Sequence, residues 1–282
     1  MPNSTIAVIG AGTMGAGIAQ VAASCGLDVL LIDTAHETLR HAIDRISHSL
    51  QRMVKKGVLP DGEADHIPRR INSGTELSAA RNADFVIEAV FEDESVKRQL
   101  WERLDTICLP EAFFATNTSS ISITQLASAT RVPERFIGLH FFNPVPVMKL
   151  VEVIRGCRTS QATTDAALEL VKKLQKTPVE VHDYPGFVSN RVLMPMINEA
   201  IFAVYEGVAT PQAVDEIFRL GMAHPMGPLA LADLIGLDVC LNIMEVLQRG
   251  FGDPKYRPCP LLRQMVAAKK LGQKTGEGFH KY

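Results

Sequence analysis

Six residues near the start, Gly10-Ala11-Gly12-Thr13-Met14-Gly15, constrain the fold more than any other stretch. They follow a β-branched run, Thr5–Ile9, and open an apolar helix-forming segment, with no charged side chain anywhere in 1–27. A buried strand, a turn and a helix account for this segment. Glycines at 10, 12, 15, 17 and 26 and the lack of a basic leader argue against a signal peptide or a bilayer span. In such a turn the first glycine bends the chain, the second admits a pyrophosphate to the backbone, and the third lets helix pack on strand. The helix N-terminus then offers amides and a positive dipole end to phosphate. A purely structural turn is the alternative.

Asp33 closes the second apolar run eighteen residues beyond Gly15, where an acid meets the adenosine ribose 2′-OH. A carboxylate there repels a 2′-phosphate, which favours NAD over NADP. Asp33 could equally cap the helix expected over His36–Met53.

The first two-thirds alternate strand and helix patterns. Strands are expected at Thr5–Ile9, Asp28–Ile32, Phe85–Val90, Phe113–Thr116, Phe136–Phe141, Lys149–Ile154 and Pro178–Val181. Leu39, Ile43, Ile46, Leu50 and Met53 form one helical stripe, Val96, Leu100 and Leu104 another, and Ser122 with Gln125 has capping-box spacing. This order implies a Rossmann-type, doubly wound α/β sheet, mostly parallel, in residues 1–184, with a helical excursion over about 36–70. From 185 to 282 the pattern is helical. Leu193, Met196, Ile197, Ala200, Ile201 and Val204 form a stripe kinked at Pro195, and Leu229–Leu247 reads as one long apolar helix.

Charged side chains nearly balance, 29 basic against 31 acidic, so no basic field points to nucleic acid or an anionic membrane. Five scattered cysteines with no paired spacing suggest reduced thiols in a cytoplasmic protein, and no metal site.

The chemistry is sharpest at Gly138-Leu139-His140-Phe141-Phe142-Asn143-Pro144 and Lys149-Leu150-Val151-Glu152-Val153. An imidazole at the end of an apolar strand needs a polar partner. A hairpin centred on Pro146 sets 140 opposite 152, so Glu152 could hold one ring nitrogen and leave the other for a substrate proton. A satisfied structural histidine is the alternative. His36, His41, His48 and His66 fall in or after a solvated helix, and His182, His224 and His280 show no acid partner in the sequence.

With these motifs stand Glu88-Ala89-Val90, Asn117-Thr118-Ser119-Ser120, Pro185–Arg191, Gly227-Pro228, Asp233–Asp238, and Gly272, Gly276 and Gly278. Together, and in this order, they resemble the short-chain L-3-hydroxyacyl-CoA dehydrogenase family from end to end. The resemblance implies NAD-dependent, reversible oxidation of a short (S)-3-hydroxyacyl-CoA. It makes His140 the base, Glu152 its orienting acid, Ser119 a partner of the reacting oxygen and of the nicotinamide side, and Asn190 a substrate contact across the domain cleft. Glu92, Lys97 and Asn143 would line the cofactor, with Asn117 beside them. Ser49 and Lys56 would meet coenzyme A.

For Ser119 and Asn190 the bland alternative is a helix-entry residue, and for Lys97 and Lys56 a solvated helix face. Rival readings are a dehydrogenase of a free hydroxy or sugar acid such as L-gulonate, and a non-catalytic NAD-binding protein. The apolar residues Ile197, Ile201, Val204, Leu241 and Met244 suggest a homodimer. The tail, with His280 after Phe279, departs from the family's expected aromatic.

Overall fold

The computed structural model describes residues 5–282. The chain divides into two compact units, one ending at Asp183 and one spanning Tyr184–Tyr282. In the first unit the elements run β1 (Thr5–Ile9), α1 (Thr13–Ser24), β2 (Asp28–Ile32), α2 (His36–Lys55), α3 (Glu63–His66), β3 (Ile71–Gly74) and β4 (Phe85–Glu88). Then follow α4 (Glu94–Ile107), β5 (Phe113–Thr116), α5 (Ile123–Ala127), β6 (Phe136–Phe141), β7 (Leu150–Arg155), α6 (Gln161–Lys173) and β8 (Thr177–His182).

One sheet holds all eight strands in the order β3-β2-β1-β4-β5-β6-β7-β8. Every pairing is parallel except β6 with β7. The expected Rossmann-type sheet is therefore present. Strand order reverses beside β1, so the turn after β1 opens into the crevice where such sheets hold ligands. The central strands are buried on both faces: Ile6, Val8, Leu31 and Ile87 pack under α1 and α2 with Ile18, Leu39 and Ile46. Trp101 of α4 lies against Phe114 and Phe136, with ring centroids 5.2 and 4.8 Å away.

Three sequence expectations change here. Strand β3, Ile-Asn-Ser-Gly, has no apolar alternation, and only its pairing with β2 makes it a strand. The buried face of α4 is Lys97, Trp101, Leu104 and Asp105, while Val96 is exposed. The lysine turns inward because a buried carboxylate receives it. Ser122 caps α5 by accepting from the Gln125 amide, but the Gln125 side chain bonds Glu94 rather than closing a capping box.

The second unit comprises α7 (Ser189–Tyr205), α8 (Pro211–Gly221), α9 (Pro228–Ile235), α10 (Leu237–Phe251) and α11 (Pro260–Ala267). Pro195 lies inside α7 without ending it. The helix expected over Leu229–Leu247 is two helices. Gly236, at φ +104°, breaks it in a conformation that side-chain-bearing residues avoid. Ile197, Ile201 and Met244 are buried in this unit's own core, with Val204 and Leu241 half-buried against it. They are therefore no surplus apolar surface, and that sequence argument for a dimer falls.

The tail is also better anchored than its sequence suggested. His280 Nε2 lies 2.7 Å from Asp215 Oδ2, and the same carboxylate caps α9 by accepting from the Leu229 and Ala230 amides. Asp233 accepts from the Phe279 and His280 amides and from the Tyr282 hydroxyl. No helix of the described residues is long and apolar enough to cross a membrane.

Candidate active site

The antiparallel register of β6 and β7 sets His140 directly opposite Glu152. His140 Nδ1 lies 2.7 Å from Glu152 Oε2, and both residues are buried. At the other nitrogen, Nε2, the Ser119 hydroxyl stands 3.2 Å away. A carboxylate, an imidazole and a hydroxyl thus form one chain, with the acid holding the ring's orientation. Phe142 packs beside the ring at 4.6 Å between centroids.

The Ser119 loop is built by neighbouring acids. Glu92 accepts from the Thr118 hydroxyl at 2.5 Å, the Ser119 amide at 2.9 Å and the Ser120 hydroxyl at 3.3 Å. Asn117 Oδ1 accepts from the Phe141 amide at 3.1 Å and so ties this loop to the residue after His140. Lys97 is completely enclosed. Its ammonium donates to Glu88 Oε1 at 2.6 Å and to the Asn117 carbonyl at 3.2 Å, and lies 3.4 Å from Glu92. It is therefore not a solvated helix lysine but an internal brace that touches Glu92. Glu88, equally enclosed, also accepts from Thr116 and from the Val90 amide. Burial pushes its carboxyl upward against the opposing pull of Lys97.

The glycine turn has the geometry its spacing implied. A Cβ on Gly15 would stand 1.8 Å from the Gly10 carbonyl oxygen, so only glycine lets α1 sit on β1. A Cβ on Gly12 would meet nothing within 4 Å, leaving open space at the start of α1. That helix has no side-chain cap and no acid in its first turn. These residues, with Ala11, Thr13 and Met14, fit a dinucleotide pyrophosphate. Asp33 accepts from the Ala11 amide at 2.8 Å and from the Ala35 amide at 3.2 Å. It braces the turn rather than capping the first turn of α2, and its oxygens retain lone pairs for a ribose hydroxyl. Arg45, which sequence reasoning missed, donates to the Ala11 carbonyl at 2.8 Å.

A cleft of about 570 Å³ adjoins this turn, lined by Thr13, Gly17, Arg45, Ser49, Arg52, Lys55 and Asn143–Pro146. Ser49 and Asn143 therefore share one cavity. Lys56, the exposed residue just past α2, does not line it; Arg45, Arg52 and Lys55 supply the charge there. Asn190 opens α7 in the second unit, buried, its amide bonded to the Gly186 carbonyl. Among the described residues no cluster of three or more His, Cys, Asp or Glu could hold a metal.

Comparison with known families matches residues 5–184 to the 3-hydroxyacyl-CoA dehydrogenase NAD binding domain and 186–282 to the 3-hydroxyacyl-CoA dehydrogenase C-terminal domain. The chain belongs to the 3-hydroxyacyl-CoA dehydrogenase family. Within that family it is 54% identical over 282 residues to a protein of Bacillus subtilis (strain 168) named "Probable 3-hydroxybutyryl-CoA dehydrogenase", covering 100% of this chain and 98% of the relative. It is 50% identical over 277 residues to the 3-hydroxybutyryl-CoA dehydrogenase of Bradyrhizobium diazoefficiens, covering 98% of this chain and 94% of the other. The crystal structure of (S)-3-hydroxybutyryl-CoA dehydrogenase from Ralstonia eutropha aligns with a TM-score of 0.97 at 48% identity over 99% of each chain. The likeness to this family spans both units, as the motifs had implied.

Proposed function

We propose that this protein interconverts short-chain (S)-3-hydroxyacyl-CoA and 3-oxoacyl-CoA, with 3-hydroxybutyryl-CoA and acetoacetyl-CoA the preferred pair and NAD the cofactor. The observation that carries the proposal is the Glu152–His140–Ser119 chain at the end of β6. NAD, when bound, supplies the hydride acceptor for C3 of the substrate. His140 Nε2 takes the hydroxyl proton during oxidation and returns it to the ketone in reverse. Glu152 holds Nδ1 and stabilises the imidazolium, which fixes the nitrogen that does the work. The Ser119 hydroxyl donates to the reacting oxygen, and Asn190 holds the substrate.

Gly10, Gly12 and the start of α1 receive the pyrophosphate, Asp33 the adenosine ribose, and Glu92 and Asn143 the nicotinamide side. Asn117 and Lys97 serve by holding that framework. Ser49, with Arg52 and Lys55 beside it, faces the phosphates of coenzyme A. The protein works in the cytoplasm as a homodimer. Exposed apolar side chains on α8, Ile217 and Leu220, support the pairing in place of the residues excluded above.

The deciding assay follows NADH consumption with acetoacetyl-CoA beside free acetoacetate and L-gulonate. Turnover confined to the thioester supports the proposal. Turnover of a free acid, or tight NADH binding with no turnover, refutes it in favour of one of its rivals.

A further inference from the structure

Lys176 is a buried cation that no step of the proposed reaction uses. Gln175, at φ +56°, ends α6 in the left-handed region, and the Lys176 amide bonds back to the Val171 carbonyl. This turn sends the side chain away from solvent, leaving the residue 9% exposed. Its ammonium donates to the Val145 and Met148 carbonyls, both at 2.6 Å. No carboxylate among the described residues lies within ion-pair distance of it. A lysine desolvated without a counter-charge is costly unless its protons are well placed. Burial accordingly draws its pKa down.

Both accepting carbonyls belong to the connection between β6 and β7. Within that loop, the Val147 and Met148 amides bond to the Pro144 carbonyl and close a tight turn. The loop therefore satisfies itself on one side and is tied to the sheet edge by one ammonium on the other. Its inner residue, Val145, is 2% exposed and lies so close to α1 that a Cβ on Gly17 would stand 2.8 Å from it. Asn143 to Pro146 form one wall of the cleft beside the glycine turn. The strands on either side are held independently by their ladder, including the His140–Glu152 pairing.

We propose that Lys176 is a positioning residue, an ammonium clamp that fixes the Asn143–Met148 loop as the wall against which the dinucleotide cofactor binds. The assignment rests on the reading that Asn143, on this loop, lines the nicotinamide side, while Ser49, Arg52 and Lys55 in the same cleft face coenzyme A. Because the ladder holds the acid–base pair, losing the clamp affects binding more than the proton transfer.

The test measures NADH dissociation by fluorescence, without substrate, in Lys176→Met, together with hydrogen exchange in 143–149. We expect affinity about tenfold weaker, the order of one charge-assisted hydrogen bond. Loop exchange accelerates, and kcat for acetoacetyl-CoA reduction stays within about threefold while KM for NADH rises. In Lys176→Ala, propylammonium should restore NADH affinity, whereas tetramethylammonium, which has no N–H, should not. Should the methionine variant fail to fold, Lys176→Gln keeps an N–H-donating but uncharged group and shows a smaller weakening. Unchanged affinity and exchange in a folded variant, equal rescue by both ions, or a kcat loss matching the KM rise would each overturn the clamp. Absence of turnover in the unmodified protein would sink the proposed reaction alone, since NADH affinity and exchange still report on Lys176.

Discussion

Replacing Lys97 by methionine isolates what the enclosed Lys97–Glu88 pair contributes. The two charges sit 2.6 Å apart with neither side chain exposed to water. Methionine matches the lysine stem in length, so little packing is lost and the main effect is an uncompensated carboxylate. Breaking such a pair costs about 3–5 kcal/mol. The cost depends on pH with a definite sign. Burial already raises the Glu88 pKa, and without Lys97 it rises further in the folded state alone. A carboxyl raised on folding stabilises the fold below its unfolded pKa, and that contribution is lost as pH climbs through the folded value.

Lys97→Met should therefore be mild near pH 5 and severe near pH 8, with Glu88→Gln added in the same chain recovering most of the loss at about pH 8. Urea unfolding followed by Trp101 suits this, because the chain has a single tryptophan and it lies on the same helix as Lys97. Fluorescence then reports the α/β unit alone. A loss equal at both pH values, or a double variant no better than the sum of the singles, would show that Glu88 is not the carboxylate that Lys97 chiefly compensates.

His140→Gln should lower kcat by about 10²–10⁴, and Glu152→Gln should lower it less; undiminished turnover in the first variant would remove His140 as the base. Gly15→Ala should prevent the unit from folding, read by circular dichroism, while Gly12→Ala should fold and lose NADH affinity, because the first Cβ meets the Gly10 carbonyl and the second only open space. His280→Ala should destabilise the helical unit by about 1–3 kcal/mol and free the tail, seen as faster exchange of the amides at positions 279 and 280. Burial drives the Cys108 and Cys240 thiols up to about 11 and about 12. A thiol reagent at about pH 8 should therefore leave both untouched until unfolding while exposed Cys157 reacts, and rapid modification of Cys240 in folded protein would contradict its enclosure.

How much of this was legible in the sequence differs from element to element. Thr5–Ile9 and the glycine turn carry their fold locally, through β-branching and positions where no Cβ fits. The His140–Glu152 contact was readable because a hairpin has a two-fold arithmetic that spacing preserves. Strand β3 was not readable: its polar residues become a strand only through the edge of β2. Lys97 misled because charge predicts exposure unless a buried carboxylate waits for it, and Glu88 is nine residues away on another element. The His280–Asp215 contact joins residues far apart in sequence, as does Lys176 with the loop carbonyls. No spacing rule connects such pairs before the chain has folded.

The single reversal of direction between β6 and β7 separates two duties that many enzymes entrust to the same loops. In the proposed reaction proton handling belongs to a strand ladder, while the segment bridging those strands walls the cavity and packs on α1. Evolution, or a designer, can thus recut residues 143–148 to admit a different guest and still inherit an intact acid–base couple.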